Sequence, residues 1–374
     1  MKKLKIMHLT HHFWPCTGGV EKVVLDSCNA LAENGIECVV ACLNRCPKET
    51  KRLKAEEMLG RTKIIRLGFV DLKYYKPAFG LLKAIKRENP DVLHVHGLGF
   101  FSDFTLLSKP LHKKPVVVST HGGIFHTKSM GAAKKIYFNA FQKILLKRAD
   151  KIIAISENDK MLFSEILPPG KISLIENSVS LEKFFSLSGR KRKNSFVFVG
   201  RLSKNKRVDR LLEAFAEAKK SLSDFSLHVC GGDFDDLQEK LARQAVKAGL
   251  EKNVFFDGSL TEKELLQRLG KSEFFVSASE YEGFGISLAE AMAAGCIPIV
   301  NRIPSFEKIV EDRKSGFIAD FSDAKKTAQK IAEIARKPAG EKQKIVKSAE
   351  KKAQEYSIEK NIGKLTKLYS EVAE

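Results

Sequence analysis

Residues 277–300, SASEYEGFGISLAEAMAAGCIPIV, carry the pattern from which the architecture follows. A strand ends at Ser279, a loop holds Glu282-Gly283-Phe284-Gly285, a helix starts near Ile286, and a second apolar strand fills 297–300. The start of such a helix sets unpaired backbone N–H groups and the positive end of its dipole at the strand's carboxyl edge, where an anion is stabilised. The glycines allow close backbone approach, and Glu290, a turn into the helix, looks back over the loop. Glu282 and Glu290 then bracket one pocket; a plain strand-turn-helix crossover with both carboxylates solvated is the alternative.

The same alternation extends outward. Strands at 195–199, 225–230, 254–256 and 274–278 interleave with helical spacing at 207–220, 262–269 and 286–294. Upstream, strands at 5–10, 37–43, 92–95, 115–119 and 151–155 accompany a helix at 20–34 that Gly35 stops. Short β-branched runs alternating with helices signal a parallel sheet covered on both faces. Between the two series, 186–194 (SLSGRKRKN) has the composition of an exposed linker. The pattern predicts an α/β chain of two tandem Rossmann-like, doubly wound domains facing a central cleft: 1–185, then 186–355, with 356–374 as a C-terminal helix returning to the first domain. Ligands of such sheets bind outside the carboxyl ends of the strands.

The chain's 374 residues suit two cores; 43% are hydrophobic and 29% charged, and mean hydropathy is -0.20. A disordered chain is excluded. The net charge of +20, of which +13 falls in residues 1–180, favours anionic partners such as phosphorylated substrates or lipid headgroups. Seven cysteines without a Cys-x-x-Cys pair argue against a disulfide framework or a zinc ribbon and fit a reducing cytoplasm. Cys38 and Cys42 read as buried small hydrophobes of a strand. No signal peptide or apolar run of membrane-spanning length is visible.

Other segments carry candidate chemistry. In Val199-Gly200-Arg201-Leu202-Ser203-Lys204-Asn205-Lys206, Arg201 and Lys206 flank a short loop between a strand and a helix, where two cations would stabilise a diphosphate; Lys204 and Arg207 are bystanders. The first loop, residues 11–19 (HHFWPCTGG), lacks the dinucleotide fingerprint. Trp14, the single tryptophan, either stacks on an acceptor sugar or anchors that loop. Ser119-Thr120-His121-Gly122 ends another strand beside His94-x-His96-Gly97. The His-x-His pair invites a metal reading, but no acidic residue completes a ligand set, and walls of the cleft are the plainer account. Asp233-Phe234-Asp235 reads as acidic residues complementing a helix start. Residues 132–148 (AAKKIYFNAFQKILLKR) read as an amphipathic helix with Ile136, Phe141, Ile144 and Leu145 on one side, either core-facing or resting on an anionic membrane surface. No nucleic-acid module appears.

Together these segments resemble glycosyltransferase family 4, retaining enzymes of the GT-B fold that use nucleotide sugars, and the resemblance spans essentially the whole chain. Its most specific element is the Glu-x7-Glu motif met by Glu282 and Glu290. The resemblance implies that Glu282 contacts the donor sugar, that the amides of Phe284, Gly285 and Ile286 hold the distal phosphate, and that Glu290 binds the ribose. It implies that Arg201 and Lys206 stabilise the diphosphate, and that Gly18 and Gly19 let the first loop approach the donor phosphates and acceptor. His121 falls near the reacting sugar, and Leu260 where the base rests. Glu176-Asn177-Ser178-Val179-Ser180 stands where the family usually shows Pro-Asn-Gly-Val-Asp and matches it only at Asn177 and Val179.

The reading is therefore a cytoplasmic or peripheral membrane hexosyltransferase. It would move a hexose from a GDP- or UDP-sugar to a glycan or lipid-linked hydroxyl with retention of configuration, without a metal or other cofactor. His121, Glu282, Arg201 and Lys206 would be its catalytic residues. A non-catalytic nucleotide- or anion-binding protein is the alternative from another class, followed by a His-metal hydrolase.

Overall fold

A computed structural model describes residues 3–72, 75–121, 137–187 and 191–374. The chain forms two compact units, residues 1–180 with 358–374, and residues 181–357.

The first unit is built on an eight-stranded sheet in the order β3-β4-β2-β1-β5-β6-β7-β8. Its strands are β1 (Lys5–Leu9), β2 (Glu37–Leu43), β3 (Glu56–Leu59), β4 (Thr62–Leu67), β5 (Val92–His96), β6 (Val116–Ser119), β7 (Lys151–Ala154) and β8 (Ile172–Leu174). All neighbours pair in parallel except β3 with β4. All five residues of β5 and all but the first of β2 are buried, as expected for strands covered on both faces. One cover is the helix Gly19–Glu33, which buries Val23, Val24, Cys28 and Leu31. The last helix, Ile358–Ala373, packs Leu365, Leu368 and Tyr369 into the same apolar cluster. Strands β3, β4 and β8 escape the sequence reading, because β4 (TKIIRL) mixes charges into its apolar run and β8 has three residues.

The second unit holds six parallel strands in the order β11-β10-β9-β12-β13-β14: β9 (Arg192–Val199), β10 (Ser226–Cys230), β11 (Val254–Gly258), β12 (Ser272–Ser277), β13 (Ile297–Asn301) and β14 (Phe317–Ala319). Phe196 and Phe274 stack at 4.8 Å between centroids, with Phe215 edge-on to Phe196 at 4.9 Å.

Three expectations need correction. The linker expected at 186–194 instead enters β9 at Arg192, although residues 188–190 lie outside the described ones. The helix expected at 132–148 is described only from Tyr137, and a π-helical turn spans Phe138–Gln142. One extra residue in that turn rotates the faces, so Phe138, Leu145 and Leu146 are buried while Phe141 and Ile144 are 39% and 61% exposed. Finally, Cys16 and Cys46 form a disulfide. β1 and β2 are parallel neighbours, so the segments following them leave the sheet at one edge and bring these two cysteines together. The five other cysteines are free and buried.

Candidate active site

Among the parallel strands of each sheet the order reverses at one place: between β1 and β5 in the first unit, and between β9 and β12 in the second. Such switch points open a crevice at the strands' carboxyl ends.

In the second unit the loops after β9 and β12 meet there. Lys206 Nζ lies 2.5 Å from Glu282 Oε1, with both side chains about 15% exposed (15% and 14%). Ser279 Oγ donates to the same oxygen at 2.9 Å. Backbone ties fix the loops together: Glu280 N donates to Asn205 O at 2.9 Å, and Asn205 Nδ2 to Tyr281 O at 3.1 Å. Arg207, in the left-handed region at φ 48°, ion-pairs with Asp209 and with Glu280 Oε1 at 2.8 and 2.5 Å. Hydrogen bonding to Asp209 holds its pKa above the usual guanidinium range. Arg207 therefore clamps the loop. Sequence reasoning passed over Ser279, Asn205 and Asn301, whose Nδ2 donates to Ser279 O at 3.0 Å. Short polar residues at strand ends were the available signal.

The helix Ile286–Ala293 starts from Gly285, at φ 103°, and a Cβ there would come 3.3 Å from Phe306. Phe284 stacks edge-on against Tyr356 at 5.2 Å. Glu290 is 5% exposed, inside a helix buried from Leu288 to Ala293. Arg201 is exposed and lays its guanidinium 4.5 Å over the Phe234 ring. Leu260 is half-buried in the turn before Thr261, which caps the next helix. Asp233 accepts from the amides of Leu237 and Gln238 at 2.8 and 3.0 Å, and Asp235 from Lys204 N at 2.8 Å. Their carboxylates are thus engaged with backbone amides. A 500 Å³ pocket lined by Arg313, Lys330 and Lys344 contains none of these residues and lies at the helices that follow β14.

At the first unit's switch point, the loop after β1 ends in Gly18, and Gly19 opens the helix. A Cβ on Gly18 would stand 2.2 Å from Glu21 Oε2. Besides the disulfide, buried Arg66 holds this loop, donating to Trp14 O at 2.7 Å and to Lys54 O at 3.0 Å while pairing with Glu57. The Trp14 side chain is 42% exposed.

His121 follows β6 in the left-handed region at φ 45°. Burial drives its pKa down to about 4, against a smaller upward pull from Asn177, so the ring is neutral near pH 7. Its Nε2 lies 2.8 Å from His96 Nδ1, and His96 Nε2 lies 2.9 Å from His8 Nδ1. His94 and His96 are 2% and 4% exposed, which corrects their reading as cleft-wall residues: the helix Ile358–Ala373 covers β5, and Tyr369 OH reaches His94 Nδ1 at 2.6 Å. Gly122 lies outside the described residues.

Two groups could hold a metal among the described residues, His8 with His94 and His96, and His8 with Cys28 and Cys38. His94 is already engaged on both nitrogens, by Tyr369 and by Ser119 Oγ at 2.7 Å.

Two α/β units, each built on a largely parallel sheet with loops gathered at its switch point, are the architecture of GT-B glycosyltransferases. Residues 17–183 match the family described as Glycosyltransferase Family 4, and residues 180–353 match Glycosyl transferases group 1. A GDP-mannose:cellobiosyl-diphosphopolyprenol alpha-mannosyltransferase from Xanthomonas campestris is 33% identical over 89% of this chain and 87% of its own. A protein of the same description from Komagataeibacter xylinus is 28% identical over 89% of this chain and 84% of its own. Among solved structures, sucrose-phosphate synthase from Thermosynechococcus elongatus superposes with a TM-score of 0.79 at 19% identity, covering 99% of both chains. Anabaena HepE in complex with UDP and glucose gives 0.76 at 16% identity, over 98% of this chain and 100% of that one. The chain belongs to glycosyltransferase family 4, and it is a glycosyltransferase.

Proposed function

We propose that the enzyme transfers mannose, with retention, from GDP-mannose to a sugar hydroxyl of a polyprenyl-diphosphate-linked oligosaccharide. The observation that carries this reading is the Lys206–Glu282 contact across the β9/β12 switch point. It joins the basic loop and the Glu-x7-Glu loop into one subsite beside the start of the helix Ile286–Ala293. The choice of donor and acceptor rests on the relatives, whose printed activity names both. Retention agrees with that name, since GDP-mannose carries an α-linked sugar and the named product is alpha.

In this reading the acceptor oxygen attacks the anomeric carbon on the face from which GDP departs. The bond to the β-phosphate breaks, its electron pair stays with GDP, and a phosphate oxygen takes the hydroxyl proton. Arg201 and Lys206 neutralise the charge growing on the diphosphate, which is where fixed cations lower a barrier; this leaves no step that needs a metal. Glu282 meets the sugar hydroxyls, the amides of Phe284, Gly285 and Ile286 the distal phosphate, Glu290 the ribose and Leu260 the base. Within the first unit, Gly18 and Gly19 give the first loop room for a ligand's close approach, Trp14 offers a surface for the acceptor, and His121 presents a neutral imidazole.

The test is transfer of labelled mannose from GDP-mannose to a polyprenyl-diphosphate disaccharide in EDTA. Product with an α linkage is expected. Transfer only from a UDP-sugar overturns the donor, and loss of rate in EDTA overturns the metal-free step. A peripheral position on an anionic membrane accompanies this reading, supported by exposed Phe141 and Ile144 beside Lys143, Lys147 and Arg148. No described helix is long and apolar enough to cross a membrane. Salt-sensitive flotation with anionic vesicles is expected; its absence removes the membrane assignment.

A further inference from the structure

Three donor atoms from three elements converge inside the first unit. β1 and β2 pair with Ile6 opposite Cys38 and His8 opposite Val40, so His8 and Cys38, a diagonal pair, share one face of the sheet. The helix Gly19–Glu33 packs on that face and adds Cys28. His8 Nε2 and the sulfurs of Cys28 and Cys38 all lie within 4.8 Å of one another. All three residues are buried, and both thiols are free.

The His8 ring is set as a ligand. Its Nδ1 lies 2.9 Å from His96 Nε2, while its Nε2 is buried with no hydrogen-bond partner among the described residues. A polar nitrogen sealed in an apolar core costs free energy unless something pairs with it. Metal-bound histidines have this arrangement, with one ring nitrogen hydrogen-bonded and the other on the ion. Three points within 4.8 Å of one another have a common centre no more than about 2.8 Å from each, against roughly 2.0–2.3 Å for zinc–nitrogen and zinc–sulfur bonds. Side-chain shifts under about 0.8 Å therefore complete the site. Two sulfurs and an imidazole, with no carboxylate in the group, select Zn2+ or Cu+ over Mg2+, Ca2+ or Mn2+. Two thiolates and a neutral ring cancel the charge of Zn2+ but leave one negative charge with Cu+, so burial favours zinc.

We propose that Cys28, Cys38 and His8 bind one thiophilic metal ion, Zn2+ ahead of Cu+, which staples the helix Gly19–Glu33 to β1 and β2. On binding, two S–H bonds break, two metal–sulfur bonds form and both protons leave to solvent, with no change of oxidation state. The helix opens at Gly19, where the first loop ends, so the ion steadies the element from which that loop departs. It lies in the core, takes no part in the transfer step and does not depend on the donor or acceptor proposed above. Because its ligands are sealed, the ion enters as the chain folds, and EDTA added to the folded enzyme is expected to leave it in place.

The test unfolds the full chain anaerobically in urea with EDTA, which leaves the Cys16–Cys46 bridge intact, and refolds it with Zn2+ or, in a second arm, with Cu+. Gel filtration then removes loose metal. Elemental analysis is expected to find about one ion per chain, and the urea midpoint should rise above that of protein refolded in EDTA. Cys28→Ala and Cys38→Ala should each lower the retained ion about tenfold or more, while Cys230→Ala, in the second unit, keeps it. If the first two variants fail to fold, X-ray absorption at the metal edge of the unmodified protein still decides, with two sulfurs and one nitrogen expected around the ion. Less than about a tenth of an ion per chain in both arms, retention unchanged in both cysteine variants, or nitrogen and oxygen ligands alone overturns the proposal.

Discussion

Lys206 Nζ and Glu282 Oε1 lie 2.5 Å apart across the line where the second sheet reverses its strand order. The pair preorganises both loops: the ammonium holds the carboxylate that, in the proposed function, meets sugar hydroxyls, and a diphosphate bound beside it would share the ammonium. Removing either charge strands the other in a partly buried site. Glu282→Ala and Lys206→Ala are each expected to lower kcat by about 10²–10³-fold, in line with loss of one preorganised charge at a developing anion. Initial rates at saturating donor check this. The double variant should lose less than the product of the two single losses, because the residues act as a unit.

A second prediction concerns the backbone beside that subsite. Gly231 has φ 145°, and a Cβ there would stand 2.0 Å from Gly200 O, a main-chain atom that cannot rotate away. Gly200 N donates to Cys230 O at 2.9 Å and Gly231 N to Gly258 O at 2.7 Å, so β9, β10 and β11 converge here. Gly231→Ala should cost about 1–3 kcal/mol from the backbone conformation alone, with more from the clash. Donor binding should weaken as well, since the Arg201 loop is displaced. Urea midpoints and GDP titration of the same variant check both; an unchanged midpoint contradicts the close approach.

What the sequence disclosed, and what it withheld, follows from the range of the forces involved. The Glu-Gly-Phe-Gly loop and its apolar helix are local signals, written in adjacent residues, and they placed Glu282, Gly285 and Ile286 where β12 ends. The basic loop was legible for the same reason. The pairing of Lys206 with Glu282 was not, because 76 residues separate them and only the strand order sets β9 beside β12. His94 and His96 read as cleft-wall residues because a strand's faces cannot be told apart until its cover is known; Tyr369, 275 residues beyond His94, supplies that cover. The disulfide was hidden by an odd cysteine count and by parallel pairing of β1 with β2.

The Cys16–Cys46 bridge closes a loop with a sequence separation of 30 residues and pins the segment after β1 to the segment after β2. Loop-closure entropy places its contribution at about 3–4 kcal/mol. Cys16→Ser should therefore lower the unfolding midpoint markedly. Arg66 still holds Trp14 O and Lys54 O, so the variant's loop should stay near its place and kcat fall by less than about tenfold. Thiol titration under denaturing conditions before and after reduction tests the bridge itself: five free thiols are expected before reduction, and seven before reduction contradicts it.

The last prediction uses the buried histidines. Burial lowers His11 and His121 to about 4 and drives His94 and His96 well below the ordinary 6.5. Folding keeps these rings neutral, whereas the unfolded chain protonates them as pH falls through about 6.5. Between pH 6.5 and 4 the unfolded state thus binds more protons, so stability is full above 6.5 and declines toward 4. Each ring contributes a slope approaching ~1.4 kcal/mol per pH unit. Carboxylates held down in the folded protein, such as Glu88, add to the loss only at lower pH, which leaves pH 6.5 to 5 as the window where histidines dominate. Urea midpoints should fall steadily across it, and His11→Asn should flatten the slope by the share of one proton. A midpoint constant from pH 7 to 5 would mean that these rings are hydrated or already charged in the native protein.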